Sequence, residues 1–216
     1  MKSKTSMVAM KGSNIAQSCI SYVGEICQFG YQKIQSAPDS PLAIFSKAII
    51  KSPRKAGAIM PSGAKLAEAM ARNVVSGNGL VIELGAGTGS VTEALITKGI
   101  KLEQIIAVEQ SVEMSSYLRR RFPKITVIQG DAGRLSDFIP DIPIDTIVSS
   151  MPLVSLPPDD RDSIIRQIRQ LASGRRFIQF TYFWGGSYLL KSGFKLLTSD
   201  FVLMNIPPAR VMTFTV

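Results

Sequence analysis

Histidine is missing from this 216-residue chain altogether. That excludes serine–histidine and cysteine–histidine nucleophile pairs, histidine-bearing zinc centres and an imidazole base. Cysteine is nearly as scarce, with Cys19 and Cys27 the two present. On a helix-patterned segment at 1.5 Å per residue they stand roughly 12 Å apart, beyond disulfide reach. Two free thiols fit a reducing compartment. Acidic residues are outnumbered, 16 against 25 Lys and Arg, for a net charge of +9. Long apolar runs are lacking too. The best stretch, Phe177 to Leu190, is short and interrupted by Gln179, Thr181 and two glycines, so no membrane span is expected. Met1-Lys2-Ser3-Lys4 leads into no apolar core of the kind a signal peptide needs.

What is present is core-forming material: 45% of the residues are hydrophobic and 19% charged. Global disorder is excluded, and the length fits one domain with an appendage. The charge is unevenly spread. Ten of the Lys and Arg but three of the acids precede residue 79, so the amino-terminal part is basic and the remainder nearly neutral. A basic segment of that kind suits an anionic partner surface, phospholipid or nucleic acid.

The chain is organised around Val81–Gly89, VIELGAGTG. An apolar run ends in Glu83 and opens into glycines at 85, 87 and 89, and helix-compatible sequence follows from Ser90 to Lys98. A buried parallel strand, a tight turn and a helix N-terminus form a nucleotide site at the carboxyl end of a strand. Side chains at Gly85 or Gly87 would block a ligand from the backbone N–H groups. Ser90 stands where a dinucleotide fingerprint needs its third glycine. Ile105–Glu109 is a second buried strand ending in an acid, 24 residues beyond Gly85, the distance at which a carboxylate meets ribose hydroxyls. A helix over 112–121 follows, its Arg119, Arg120 and Arg121 read as a solvated face. Further strands are expected at 125–128, 144–149 and 176–182. Helices are expected at 64–75 and 159–172, with a closing hairpin from 194–204 and 211–216.

The G-x-G-x-G spacing behind Glu83 resembles the first motif of class I S-adenosylmethionine-dependent methyltransferases. The resemblance implies an α/β, Rossmann-like fold: a mostly parallel seven-stranded sheet flanked by helices, with amino-terminal amphipathic helices. It also implies a cofactor site of Glu83, Gly85, Gly87, Thr88, Gly89, Glu109, Gln110, Asp131, Ala132 and Ser149. An acid near the turn suits the ammonium and sulfonium of S-adenosylmethionine, and Asp131 takes the place of the acid that meets the adenine amino group.

Within that class, three segments are similar to bacterial phospholipid N-methyltransferases. They are SPRKAGAIMPS at 52–62, Ser149–Pro157 and FIQFTY at 177–182. Lys55-Ala56, Gly63 and Phe183-Trp184-Gly185-Gly186 depart from that pattern. RNA adenine dimethyltransferases, related in overall pattern, carry an amide and an aromatic where this chain has Ser150-Met151-Pro152-Leu153, which disfavours a nucleobase acceptor. The resemblance implies methylation of phosphatidylethanolamine nitrogen toward phosphatidylcholine, by in-line attack of a neutral amine without a metal. Nucleic-acid adenine methylation is the alternative. Ser150, Met151 and Pro152 would line the acceptor side. Tyr182 is the candidate for positioning the amine, joined by Tyr22 and Tyr31 if amino-terminal helices cap the site.

Helical spacing of apolar residues predicts a helix over about 14–35 and an amphipathic one over 42–51. In the second, Phe45 lies on the apolar side, and Lys47, Lys51, Arg54 and Lys55 are spaced along the other. Such a stripe suits an anionic membrane surface. Residues 1–61 are therefore expected to dock and cap, and 62–216 to form the cofactor-binding domain. The expectation is a monomer on the cytoplasmic face of the cytoplasmic membrane.

Overall fold

The computed structural model describes residues 63–181, 187–204 and 208–216. The expected amino-terminal helices, with Tyr22, Tyr31, Phe45, Lys47, Lys51, Arg54 and Lys55, lie outside the described residues, as does Tyr182. In chain order the elements are α1 (Ala64–Arg72), β1 (Leu80–Leu84), α2 (Ser90–Thr97), β2 (Ile105–Glu109), α3 (Val112–Arg121), β3 (Thr126–Gln129) and β4 (Ile144–Ser149). Then come α4 (Pro158–Leu171), β5 (Arg176–Thr181), α5 (Ser187–Lys191), β6 (Lys195–Val202) and β7 (Ala209–Thr215). Short 3-10 turns occupy 102–104, 132–137 and 153–155.

Seven strands form one sheet in the order β3-β2-β1-β4-β5-β7-β6. β1 to β5 run parallel, β7 is antiparallel to β5, and β6 is antiparallel to β7. This is the Rossmann-like methyltransferase sheet. β1 is buried along its whole length, as a central parallel strand covered on both faces must be. Its alternation sorts side chains between two cores. Leu80, Ile82 and Leu84 join Ile164, Ile165 and Ile168 of α4, while Val81 joins Leu66 and Met70 of α1 and Val91 and Leu95 of α2. Two-residue periodicity then puts Glu83 on the α1–α2 side. Phe177, Phe194 and Phe214 pack with ring centroids 5.5–6.2 Å apart, tying the hairpin to β5.

Three features differ from the expected elements. α1 stops at Arg72 rather than near Val75, because the chain leaves the helix to pair with β4. Thr146 Oγ1 accepts from the Val75 N–H at 3.2 Å and donates to the Val75 carbonyl at 2.7 Å. The turn at 132–137 is capped by Asp131, which accepts from the Gly133 N–H at 2.8 Å. The short α5 falls where no element was expected. Among the described residues, no helix is long and apolar enough to cross a membrane.

Candidate functional site

Strand order reverses between β1 and β4, and in open α/β sheets the ligand crevice lies at the carboxyl edge beside such a reversal. The chain crosses that edge after β1 at the glycine turn, after β2 at Glu109–Ser111, after β3 at Asp131 and after β4 at Ser149–Pro152. Residues as far apart in sequence as Gly85 and Pro152 are thereby gathered at one edge.

The glycine turn is anchored from β2. The Gly85 and Ala86 N–H groups donate to the Val108 carbonyl at 2.8 and 3.3 Å, and Gly89 N–H donates to Ala86 at 2.8 Å. The three glycines have positive φ of 69°, 55° and 82°, which side-chain-bearing residues rarely adopt. Their surroundings separate them. A Cβ on Gly87 would meet only the Gly85 carbonyl, at 3.9 Å, so this position faces open space. A Cβ on Gly89 would stand 2.4 Å from the Phe122 ring and 2.9 Å from Leu118, so Gly89 admits α3. A Cβ on Gly85 would meet Met151 at 2.3 Å, so the acceptor-side methionine leans over the turn. Thr88 is buried, and its carbonyl accepts from Arg121 Nη1 at 2.6 Å. Arg121 also pairs with Glu93 at 2.5 Å. The arginine read as solvated face is a brace for the turn, a role that its place in an Arg-Arg-Arg run concealed.

Glu109 is half-buried at the end of β2, its carboxylate fixed from two sides. Oε2 accepts from the Gly87 N–H and Oε1 from the Ser111 N–H, both at 2.9 Å. Each oxygen keeps a lone pair, so the carboxylate is oriented yet still able to accept from a diol. Gln110 is exposed beside it, Asp131 is exposed on the neighbouring turn, and Ala132 is buried behind.

Glu83 lies beneath the turn rather than on its surface. It is fully buried and accepts from the Thr92 hydroxyl at 2.5 Å. Burial pushes its carboxyl up to about 8, with the Thr92 hydroxyl pulling the other way and the Glu109 charge raising it further. Glu83 Oε1 and Ser150 Oγ are both buried with no other partner, and the Ser150 hydroxyl also pulls the Glu83 carboxyl down, so the two side chains face each other. With the open face at Gly87 and the oriented Glu109 carboxylate, the residues present fit S-adenosylmethionine.

The acceptor side is held by a residue the motif contained but to which no role attached. Gln179, buried on β5, donates from Nε2 to the Met151 carbonyl at 2.8 Å and the Phe180 carbonyl at 2.7 Å. The Ser150 N–H donates to the Leu84 carbonyl at 2.9 Å, and the Met151 N–H approaches Ser149 Oγ at 3.4 Å. Ser149–Pro152 is thus tied to both β1 and β5, with Ser149 buried and Pro152 half-buried.

Fold and site define a class I S-adenosylmethionine-dependent methyltransferase. In agreement, residues 81–173 match the family described as methyltransferase domain. Among individual proteins, the chain is 29% identical over 160 residues to an ornithine lipid N-methyltransferase of Singulisphaera acidiphila, covering 70% of this chain and 83% of that protein. It is 35% identical over 94 residues to an uncharacterized methyltransferase of Bacillus mycoides, covering 43% of this chain and 42% of that protein. The chain therefore spans less than half the length of that Bacillus relative. A solved glycopeptide N-methyltransferase, MtfA with bound S-adenosylmethionine, superposes with a TM-score of 0.59 at 16% identity, over 73% of this chain and 95% of that one. TrmN from Thermus thermophilus superposes at 0.58 and 19% identity, over 69% of this chain and 48% of that one. At those identities the superpositions speak for the fold alone.

Proposed function

We propose that this chain N-methylates the primary amine of a membrane lipid headgroup, phosphatidylethanolamine in the first instance. The observation that carries the reading is the Ser149–Pro152 loop. It is fixed at the mouth of the crevice by Gln179 and Leu84, with neither an amide nor an aromatic ring to grip and stack on a nucleobase. Small hydroxyls, a methionine and backbone carbonyls suit a compact alkylamine headgroup instead. The similarity to an ornithine lipid N-methyltransferase supports a lipid-borne amine. It also favours a second reading, in which an ornithine lipid is the acceptor.

S-adenosylmethionine supplies the electrophilic methyl group. In the proposed reaction, Glu109 orients the ligand's hydroxyls, Asp131 takes its amino group, and Met151 excludes water above the turn. With no histidine in the chain an imidazole base is unavailable, and in this reading the amine loses its proton to water or to a carboxylate as it enters. Tyr182, just past β5, is proposed to place its ring beside the amine. Residues 1–61 are proposed to dock on anionic lipid at the cytoplasmic face of the membrane and present the headgroup.

The test is incubation with labelled S-adenosylmethionine and liposomes of phosphatidylethanolamine or ornithine lipid, with and without anionic lipid, followed by chromatography of the lipids. Label in mono-, di- or trimethylated phosphatidylethanolamine is the expected result. Label confined to the ornithine lipid selects the second reading. Labelled RNA with unlabelled lipids would refute both. Deleting residues 1–40 is expected to weaken liposome binding and lipid methylation.

A further inference from the structure

The closing hairpin carries the inference. β7 begins beside the end of β5, with Arg210 opposite Thr181, and β6 ends beside the start of β7, with Val202 opposite Ala209. The turn between β6 and β7 therefore lies on the carboxyl edge of the parallel strands, the edge that holds the glycine turn, Glu109 and Ser149–Pro152. At this end the hairpin exposes Phe201 at 66%, Leu203 at 75% and Met204 at 79% of their surfaces. Three large apolar side chains within four residues, left in water, are not explained by the fold, because β6 and β7 already contribute Val202, Ala209 and Val211 to the core.

Asp200, the exposed acid before Phe201, accepts from Asn73 Nδ2 at 3.3 Å, on the α1 side of the strand. From Phe201 to Val216 there is no acidic residue, and Arg210 is the sole charged side chain. Its guanidinium sits 5.3 Å from the centroid of the Phe201 ring. An aromatic ring under a guanidinium, ahead of a projecting Leu-Met turn, presents an apolar tip with a cation set behind it. This arrangement lets apolar side chains enter an acyl boundary while the cation meets lipid phosphate.

We infer that the β6–β7 turn, through Phe201, Leu203 and Met204, is a wedge that inserts into the surface of an anionic bilayer beside the acceptor crevice. The occupant rests on the lipid reading above, since a headgroup amine must reach Ser149–Pro152 across this same edge. The apolar side chains stand at the end of a strand pair, and Arg210, the charge set behind the Phe201 ring, complements anionic lipid. The wedge lies outside residues 1–61 in the sequence, so it would bring a second point of attachment and fix the tilt of the acceptor edge toward the lipid.

The experiment uses the full chain and co-sedimentation with phosphatidylcholine vesicles containing phosphatidylglycerol. These hold no amine acceptor, so binding is read independently of substrate. The double variant Leu203→Ser, Met204→Ser alters two turn residues outside the core. It is expected to bind at least about tenfold more weakly while keeping wild-type S-adenosylmethionine affinity. Leu196→Ser, Leu197→Ser serves as the control, since these residues are 41% and 50% exposed at the opposite edge of the same strand. Its binding is expected to match wild type. Wild-type protein that ignores these vesicles, or a tip variant that binds them as wild type does, overturns the inference. So does an equal loss in the control pair. A tip variant that changes the oligomeric mass but not vesicle binding assigns the turn to a second copy and also overturns it. Loss of vesicle binding by the tip variant, with no methylation of any lipid by wild type, would keep the wedge and reject the proposed substrate.

Discussion

Replacing Glu83 by glutamine and following stability across pH tests the interior of the site. Glu83 is fully buried, and its carboxyl is lifted from 4.5 to about 8, chiefly by burial. Between those pH values the unfolded chain has released the Glu83 proton while the folded chain still holds it. Stability must therefore fall as pH rises through this window, and the penalty is absent below it. At about 1.4 kcal/mol per pH unit, the whole window is worth about 5 kcal/mol as an upper bound. Relaxation around the ionised carboxyl would reduce that. Glutamine is neutral throughout and its carbonyl can still accept from Thr92, so Glu83→Gln removes the slope. For a chain of this size 1 kcal/mol corresponds to roughly 2–4 °C, so the variant should gain on the order of 10 °C over wild type between pH 5 and pH 8. The absence of histidine makes the reading clean, because no imidazole titrates in the interval. Thermal unfolding of both proteins at pH 5, 6, 7 and 8 is the assay. A flat wild-type profile, or parallel slopes in the two proteins, refutes the argument. A ligand ammonium near Glu83 favours its ionised form. Calorimetry should therefore show S-adenosylmethionine affinity strengthening toward pH 8 in wild type but not in Glu83→Gln.

The two glycines that frame the turn should separate folding from binding. Gly89→Ala drives a Cβ into Phe122 and Leu118 and is expected to lose about 1–3 kcal/mol of stability in urea unfolding. Gly87→Ala meets no side chain and should lose about 1 kcal/mol from its positive φ, with S-adenosylmethionine affinity falling far more than stability. Glu109→Gln should fold but bind the cofactor at least about tenfold more weakly by calorimetry, since an amide cannot accept from a diol with both of its ends. Gln179→Leu strands the Met151 and Phe180 carbonyls and should cost about 1–3 kcal/mol of stability. Steady-state kinetics of Gln179→Leu should show acceptor KM raised while cofactor KM stays near wild type. Equal shifts in both would mean that Gln179 does not act through the acceptor loop.

Much of this could be read from local pattern. Val81–Gly89 announces its strand, turn and helix because a strand covered on both faces must be continuously apolar, and a turn meeting a ligand backbone-first needs small residues. The place of Glu109 follows from the length of one helix and one strand. Such features depend on neighbours in sequence, so sequence by itself determined the sheet, the cofactor class and the edge on which the site lies. Contacts between distant segments were decided only by the tertiary structure. Glu83 and Thr92 meet because strand alternation turns the acid toward the α1–α2 core and Thr92 lies on the buried face of α2, which makes the acid a buried group under the turn. Arg121 was hidden in an arginine run until α3 packed against Gly89. Gln179 acquires its role because β5 lies beside β4, and Phe201, Leu203 and Met204 reach the edge of the crevice only because β7 reverses direction. Apolar residues on a hairpin look the same in sequence whether they face a core or project beside a site, and strand pairing across the whole sheet makes that choice.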